Sequence, residues 1–452
     1  MNPRILERAE HPISRRDIDP NVLKVLYRLI GAGHVACIVG GGVRDLMLSR
    51  RPKDFDIATS AHPQQVRDLF RNSRLIGRRF RLVHVFFGRQ NIEVATFRRQ
   101  AEGVAGSDDP MIRLDNTFGS PEEDAFRRDF TVNALFYDPQ SFRVIDFPGG
   151  VDDLQVRLIR TIGDPGLRMR EDPVRMMRAV RFASKLGFEI EPATRAAIER
   201  HRNDLAKASV PRLVEETYRT LGQPEAARAL VLMEELGLLD AVLPFLSAHL
   251  KRLDVPLSGQ PTVRNMAALG RRIAAGYAPE HEILLAALML DLRRTAPGGQ
   301  TELIAELRAR GFARGDTERM RLILDAFELL AAPSRRTRRL MRRPYFGEAQ
   351  QFFEMMAATY GIDEAAIHRF LAAPADSAAL PAAGSVASPA PGGQRRRRRR
   401  RRGGRRHGRH GDAGPQTAAT PQESAGEHHD GAAAPTHHRN DAAAGPDSGR
   451  SD

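Results

Sequence analysis

The stretch "IVGGGVRDLMLSRRPKDFDIATS", residues 38 to 60, decides the fold. Ile38 and Val39 end the β-branched run of "HVACIVGGG", which reads as a short buried strand stopped at three glycines. "VRDLMLS" then begins a helix, "FDIAT" reads as a second strand, and "PQQVRDLF" supplies the helix behind it. In that second strand Asp54 and Asp56 occupy alternate positions, which share a face and lie about 7 Å apart at Cα. Two carboxylates so placed can converge on divalent metal ions bound to a triphosphate, and Mg²⁺ suits one or two carboxylates plus phosphate oxygens. Asp-x-Asp in a solvated loop would carry no such meaning. The reading rests on Phe55 and Ile57 pointing the other way, as a half-buried strand requires.

Around this core the same chemistry recurs. Gly40, Gly41 and Gly42 allow backbone to approach phosphates at a helix start, and Arg44 follows in the first turn, where a guanidinium can take a phosphate. A tight strand–helix turn needs one or two glycines in any case. Neither the Rossmann glycine spacing nor the P-loop Gly-Lys-Ser/Thr is present, which disfavours a dinucleotide site and a Walker ATPase. "FRLVHVFFGRQNIEVATFRR" alternates on both sides of a turn, a hairpin pattern. Glu93 lies within it, either as a third carboxylate or as a solvated acid on a wet strand face. "EDAFRRDFTVNALFY" sets Arg127 and Arg128 beside Asp129, an arrangement that serves a triphosphate, a ribose or a surface salt bridge.

From Leu167 the spacing turns helical and stays so. In "REDPVRMMRAVRF" Asp172 reads as an N-cap and Pro173 as the first helical residue. Arg175 and Arg178 follow at three-residue intervals. An Asp beside an Arg can read a base, because arginine donates to a ring acceptor and the carboxylate accepts from an exocyclic amine. Adenine and cytosine both fit that pair, whereas guanine and uracil do not. A capped helix with an ordinary basic face is the alternative.

The 452 residues exceed one compact unit and carry a formal charge of +14. Residues 376 to 452 hold 13 Arg and 8 acids, leaving +9 on the rest, so a polyanionic partner is expected of the whole chain. That tail is Ala, Pro, Gly, Ser and His around Arg395, Arg396, Arg397, Arg398, Arg399, Arg400, Arg401 and Arg402. Such composition cannot bury a core, and eight adjacent cations bind polyphosphate by releasing counterions. One cysteine, Cys37, excludes an internal disulfide, and no Cys/His spacing resembles a zinc site. No signal-type or membrane-spanning apolar run is seen, so a cytoplasmic protein with no membrane partner is expected.

Taken in order, "VGGGVRD", "KDFDIAT", "RRDFTVNALFY" and "EDPVRMMRAVRFASKLGF" resemble the bacterial poly(A) polymerase and CCA-adding tRNA nucleotidyltransferase family, the class II branch of the polymerase β-like superfamily. The resemblance is good over roughly residues 10 to 245. It implies an α+β fold, with a small mixed-sheet head followed by an all-helical neck, body and tail. The expected division is an N-terminal extension at 1–20, head at 21–160, neck at 161–245, body and tail at 246–373, and a disordered extension at 374–452 with its basic run at 395–409. It further implies that Asp54 and Asp56 bind two Mg²⁺, with Glu93 as third acid and Asp129 in the active site. Gly41, Gly42 and Arg44 would hold the triphosphate, Arg127, Arg128 and Arg178 the nucleotide, and Asp172 with Arg175 the adenine. "LIGRRFRLVHVFFG" followed by "IEVATFRR", with the Arg-rich extension, looks like the poly(A) polymerase type. The implied activity is template-independent addition of AMP from ATP to RNA 3′ ends, with RNA-decay machinery as a further partner. A CCA-adding enzyme is the alternative within the family. An RNA-binding protein with an inactive head is the alternative outside it.

Overall fold

The computed structural model describes residues 2–77, 82–99, 118–295 and 299–372. Eight strands form one sheet: β1 (Arg4–Leu6), β2 (Ala36–Val39), β3 (Asp56–Thr59), β4 (Ser73–Ile76), β5 (Leu82–Phe87), β6 (Gln90–Thr96), β7 (Leu135–Asp138) and β8 (Arg143–Asp146). Their order is β1-β8-β7-β2-β3-β6-β5-β4. Every pairing is antiparallel except β3 with β6, so the sheet is mixed.

The alternation of each strand sends Ile38, Ile57, Val83, Val85, Ile92 and Val94 to one face. Helix α1 (Pro20–Gly31) and helix α3 (Pro63–Leu69) cover that face. Asp19 caps α1 by accepting from the Asn21 N–H at 2.7 Å, and Pro20 begins it. Val22, Val25, Leu26 and Leu29 form its buried stripe, each burial stabilising by roughly 1.5–3 kcal/mol relative to exposure. Helix α2 (Gly41–Met47) follows β2; α4 (Pro121–Phe126) and α5 (Gly150–Gln155) complete the head.

Residues 1–20 are no extension. β1 is the edge strand beside β8, with Arg4 opposite Asp146, and Leu6, Ile13 and Ile18 are buried in the head core.

Beyond a short β9–β10 pair (Leu158–Ile159, Glu189–Ile190) the described chain is helical. The stretch expected as the neck, residues 161–245, contains α6 (Pro165–Glu171), α7 (Val174–Leu186), α8 (Pro192–His201), α9 (Val210–Leu221), α10 (Ala226–Glu235) and α11 (Leu238–Val242). α12 (Pro244–Arg252) begins at its end, and the stretch expected as body and tail runs on through α13 (Pro261–Ala274), α14 (His281–Thr295), α15 (Gln300–Ala309), α16 (Arg314–Ala331), α17 (Arg335–Leu340), α18 (Phe346–Met356) and α19 (Glu364–Ala372). α14 is buried from Ile283 to Asp291 because α13 and α16 pack on it from different sides. Among the described residues no helix is long and apolar enough to cross a membrane.

Candidate active site

Register sets the site. On the face opposite α1 and α3, Phe136, Val39, Asp56, Glu93 and His84 are successive cross-strand partners through β7, β2, β3, β6 and β5. Partners across a ladder share a face. Two acids therefore stand side by side, with His84 Nε2 3.4 Å from Glu93 Oε1. Asp54 lies two residues before the start of β3 rather than within it, since the strand begins at Asp56. A Cβ built on Gly42 would meet Phe55 Cδ1 at 3.2 Å and the Asp54 carbonyl at 3.5 Å. Gly42 thus lets α2 lie against the Asp54–Phe55 backbone, and Asp54 is held at the mouth of the row.

The acids are electrostatically coupled. Partial desolvation, then the charges of Glu93 and Asp54, push the Asp56 carboxyl up to about 6, with Arg128 opposing. Among the described residues neither Asp54 nor Asp56 has a side-chain hydrogen bond or ion pair. Mutually repelling carboxylates without a cation of their own fit a divalent metal.

The arginines are arranged by one buried acid. Asp124 of α4 takes Arg128 Nη2 at 2.8 Å and Arg127 Nε at 3.2 Å. Burial would raise its carboxyl, but Arg128 and Arg127 outweigh that and hold it below the usual range. Asp124 escaped the sequence reading, although its i+3 and i+4 spacing to the two arginines was the signal. Gly40 adopts φ +70° where β2 turns into α2, and a Cβ there would lie 3.1 Å from Arg128 Nη1. This glycine, more than Gly41, gives a guanidinium access to the turn.

Other expectations change. Arg44 is 2 % exposed, bound to Asp45 at 2.7 Å and to Asn133 Oδ1 at 2.6 Å, so its guanidinium does not stand open for phosphate. Asn133 Nδ2 donates to Asp129 at 3.2 Å, and Arg178 of α7 donates to the same carboxylate at 2.6 Å. Burial raises Asp129, and Arg178, Asn133 and the Phe130 N–H more than reverse it. Asp129 and Arg178, expected as catalytic acid and nucleotide ligand, are each other's partners. The line Arg44–Asn133–Asp129–Arg178 joins head to neck, and Phe182 packs under it with Arg44, Arg178 and Arg181 within 5.4 Å of its ring.

Asp172 does not cap α7, which starts at Val174 after Pro173. Its Oδ2 instead accepts from Arg212 at 2.8 Å. Arg175 Nη1 donates to the Arg168 carbonyl at 2.8 Å and to Glu171 at 3.2 Å. The Arg175 N–H donates to the Asp172 carbonyl at 3.0 Å, but the two side chains are not bonded to each other, and one edge of each is left uncommitted among the described residues. Arg395 to Arg402 lie outside the described residues.

A mixed sheet that lines up acids beside clamped arginines, on a neck bearing an Asp and an Arg with open edges, defines a nucleotide-handling head on a helical body. Known proteins carry the same parts. Residues 36–160 match the poly(A) polymerase head domain, and residues 187–250 match a probable RNA- and SrmB-binding site of polymerase A. Poly(A) polymerase I of Salmonella typhi is 50% identical over 252 residues, covering 54% of each chain. A CCA-adding enzyme of Geobacillus stearothermophilus is 42% identical over 232 residues, covering 51% of this chain and 56% of that one. The crystal structure of the Bacillus stearothermophilus CCA-adding enzyme in complex with CTP superposes with a TM-score of 0.59 at 32% identity, covering 78% of this chain and 82% of that one. The chain belongs to the nucleotidyltransferase family of bacterial poly(A) polymerases and CCA-adding enzymes. The matched region spans about half the length of the curated relatives.

Proposed function

We propose that this protein adds AMP from ATP to RNA 3′ ends without a template. The carrying observation is Asp56 and Glu93 side by side on one sheet face, charge-coupled to Asp54 just before β3, with Asp56 pushed up to about 6. Asp54 and Asp56 would hold Mg²⁺, two ions in the family's manner, with Glu93 as third acid. The metal, when bound, would lower the pKa of the RNA 3′-hydroxyl and stabilise the departing pyrophosphate.

The protein's own groups position and select. Arg127 and Arg128, fixed by Asp124 at the Gly40–Gly42 turn, present donors to the triphosphate. Asp172, steadied by Arg212, accepts from the exocyclic amine of the base, and Arg175, steadied by the Arg168 carbonyl, donates to its ring nitrogen. Attack at the α-phosphorus then depends on alignment and charge. Asp129 and Arg178 act by holding head to neck.

A basic surface supports RNA as acceptor. Arg335, Arg336, Arg339, Arg342 and Arg343, in and just after α17, are exposed and have no side-chain partner among the described residues. Arg395 to Arg402, outside the described residues, add a second cluster of cations in the sequence. RNA-decay machinery and a cytoplasmic site of action belong to the same proposal.

The 49–50% identity to the Salmonella and Escherichia coli poly(A) polymerases I supports polyadenylation, while the Haemophilus influenzae poly(A) polymerase I, at 39%, stands level with the CCA-adding enzymes at 39–42%. The second reading, CCA addition, draws on the Asp172–Arg175 edges, which accept cytosine as well as adenine. Incubation with generic RNA, with tRNA lacking its end, and with each nucleotide separates them. Continuous A addition to generic RNA is expected. A stop after three nucleotides on tRNA would overturn the proposal, and no incorporation at all would favour an inactive RNA-binding head.

A further inference from the structure

A pocket of about 780 Å³ opens among α9, α13, α14, α16 and the Lys53 loop. At its wall the rings of Tyr218 and His281 stack with centroids 3.8 Å apart and planes 4° from parallel. Asp316 fixes both: its Oδ2 accepts from the Tyr218 hydroxyl at 3.0 Å and lies 3.3 Å from His281 Nδ1. Tyr218 is buried, with the edge of Phe312 against it at 5.6 Å. His281 is the outer member of this column, with its side chain 56% exposed. The core therefore holds an imidazole rigid and flat while leaving its outer face open.

The remaining lining fits a nucleotide. Tyr277, Val214 and Leu284 give an apolar wall, and Lys53 brings positive charge. Arg219 and Glu215 pair with each other at 2.6 Å, and Asp316 is engaged with the stacked pair. Lys53 directly precedes Asp54, about 3.8 Å away at Cα, so the pocket reaches the threshold of the acidic row. Resting on the proposed transfer of AMP to RNA, we propose that His281 is a stacking platform for an unpaired base of the RNA acceptor, upstream of its reacting 3′ end. Lys53 lies where an adjoining phosphate would pass. Stacking tolerates every base because each has a π-face, as an enzyme acting on its own growing product requires. The incoming ATP is read elsewhere, at Asp172 and Arg175.

The test uses the full chain and oligo(A) primers carrying 2-aminopurine at successive positions from the 3′ end. Wild type should quench the fluorescence at one internal position, without ATP. His281→Ala should abolish that quenching and raise the primer KM about tenfold, within the range of one lost base stack, leaving the KM for ATP and kcat in place. His281→Phe should restore both signals, which a purely structural role for the histidine would not do. Unchanged quenching and primer KM in His281→Ala would overturn the platform, as would a shift confined to the KM for ATP, which would assign the pocket to free nucleotide. Failure of wild type to extend any RNA would overturn AMP transfer instead, and the quenching measurement would still decide the platform.

Discussion

Asp56 concentrates the conflict that a metal would resolve. Its carboxyl titrates near 6 in the fold against about 4 in an unfolded chain. Over that window the folded state binds more protons, so metal-free stability should fall as pH rises from about 4 to 6 and stay lowered above. Asp56→Asn should remove this loss, raising the metal-free Tm at pH 7.5 while abolishing AMP incorporation. A thermal melt series across pH, with and without Mg²⁺, checks both halves. Asp124 and Asp129 have the opposite sign: their carboxyls are held low, so what they contribute is present above about pH 4 and lost only as pH falls below it. Asp124→Asn should loosen Arg127 and Arg128 and raise the KM for ATP by about tenfold, read in steady-state kinetics, a loss of about 1.4 kcal/mol of charged hydrogen bonding. Asp56 was legible in the sequence because strand period is local, but Asp54, expected in the same strand, falls before it, since β3 begins at Asp56. The burial of Arg44 was not legible, since its partner Asn133 lies 89 positions away and no local pattern announces it.

Elements show the same division. The β5–β6 hairpin could be read from alternation around Gly88, whose φ of +61° suits the turn, and its register sets Glu93 opposite His84, but the parallel β3–β6 pairing that puts Glu93 beside Asp56 is remote in sequence. β1 could not be read, because three residues carry little periodicity and the pairing with β8 is remote in sequence. The start of α7 was misplaced by one residue: Asp-Pro resembles a cap, but the Asp172 carboxylate is drawn to Arg212 on α9. α7 also carries the head–neck joint. Breaking Asp129–Arg178 leaves one mostly buried charge unpaired, so Arg178→Met should cost about 2–3 kcal/mol. Chemical denaturation reads this as a lowered midpoint, and Asp129→Asn combined with it should cost less than the two separate losses together. α17 offers a different test. Replacing Arg335, Arg336, Arg339, Arg342 and Arg343 with Gln should flatten the slope of log affinity against log salt by up to about 3.5, at roughly 0.7 per phosphate contact on single strands. Chemistry on saturating primer should hold.

At the scale of the molecule, selection and grip are separate functions placed in separate parts. The head and neck carry the acids, the arginine clamp and the base-reading edges, all within residues 40 to 212. A dense cluster of exposed cations without side-chain partners among the described residues lies in and just after α17, and the Arg run of the sequence lies beyond it. Charge that releases counterions contributes affinity to any RNA but carries no information about the incoming base. Deleting residues 394 to 410 should therefore weaken binding to long RNA and flatten its salt dependence, while the ratio of ATP to CTP incorporation on a short primer stays as in wild type. Conversely, Arg175→Ala should collapse that ratio and leave the salt slope untouched. Filter binding across a salt series and single-nucleotide incorporation on the same two variants measure both quantities. A deletion that altered nucleotide choice would show that the tail reaches into the base-reading site, and the division between grip and selection would fall.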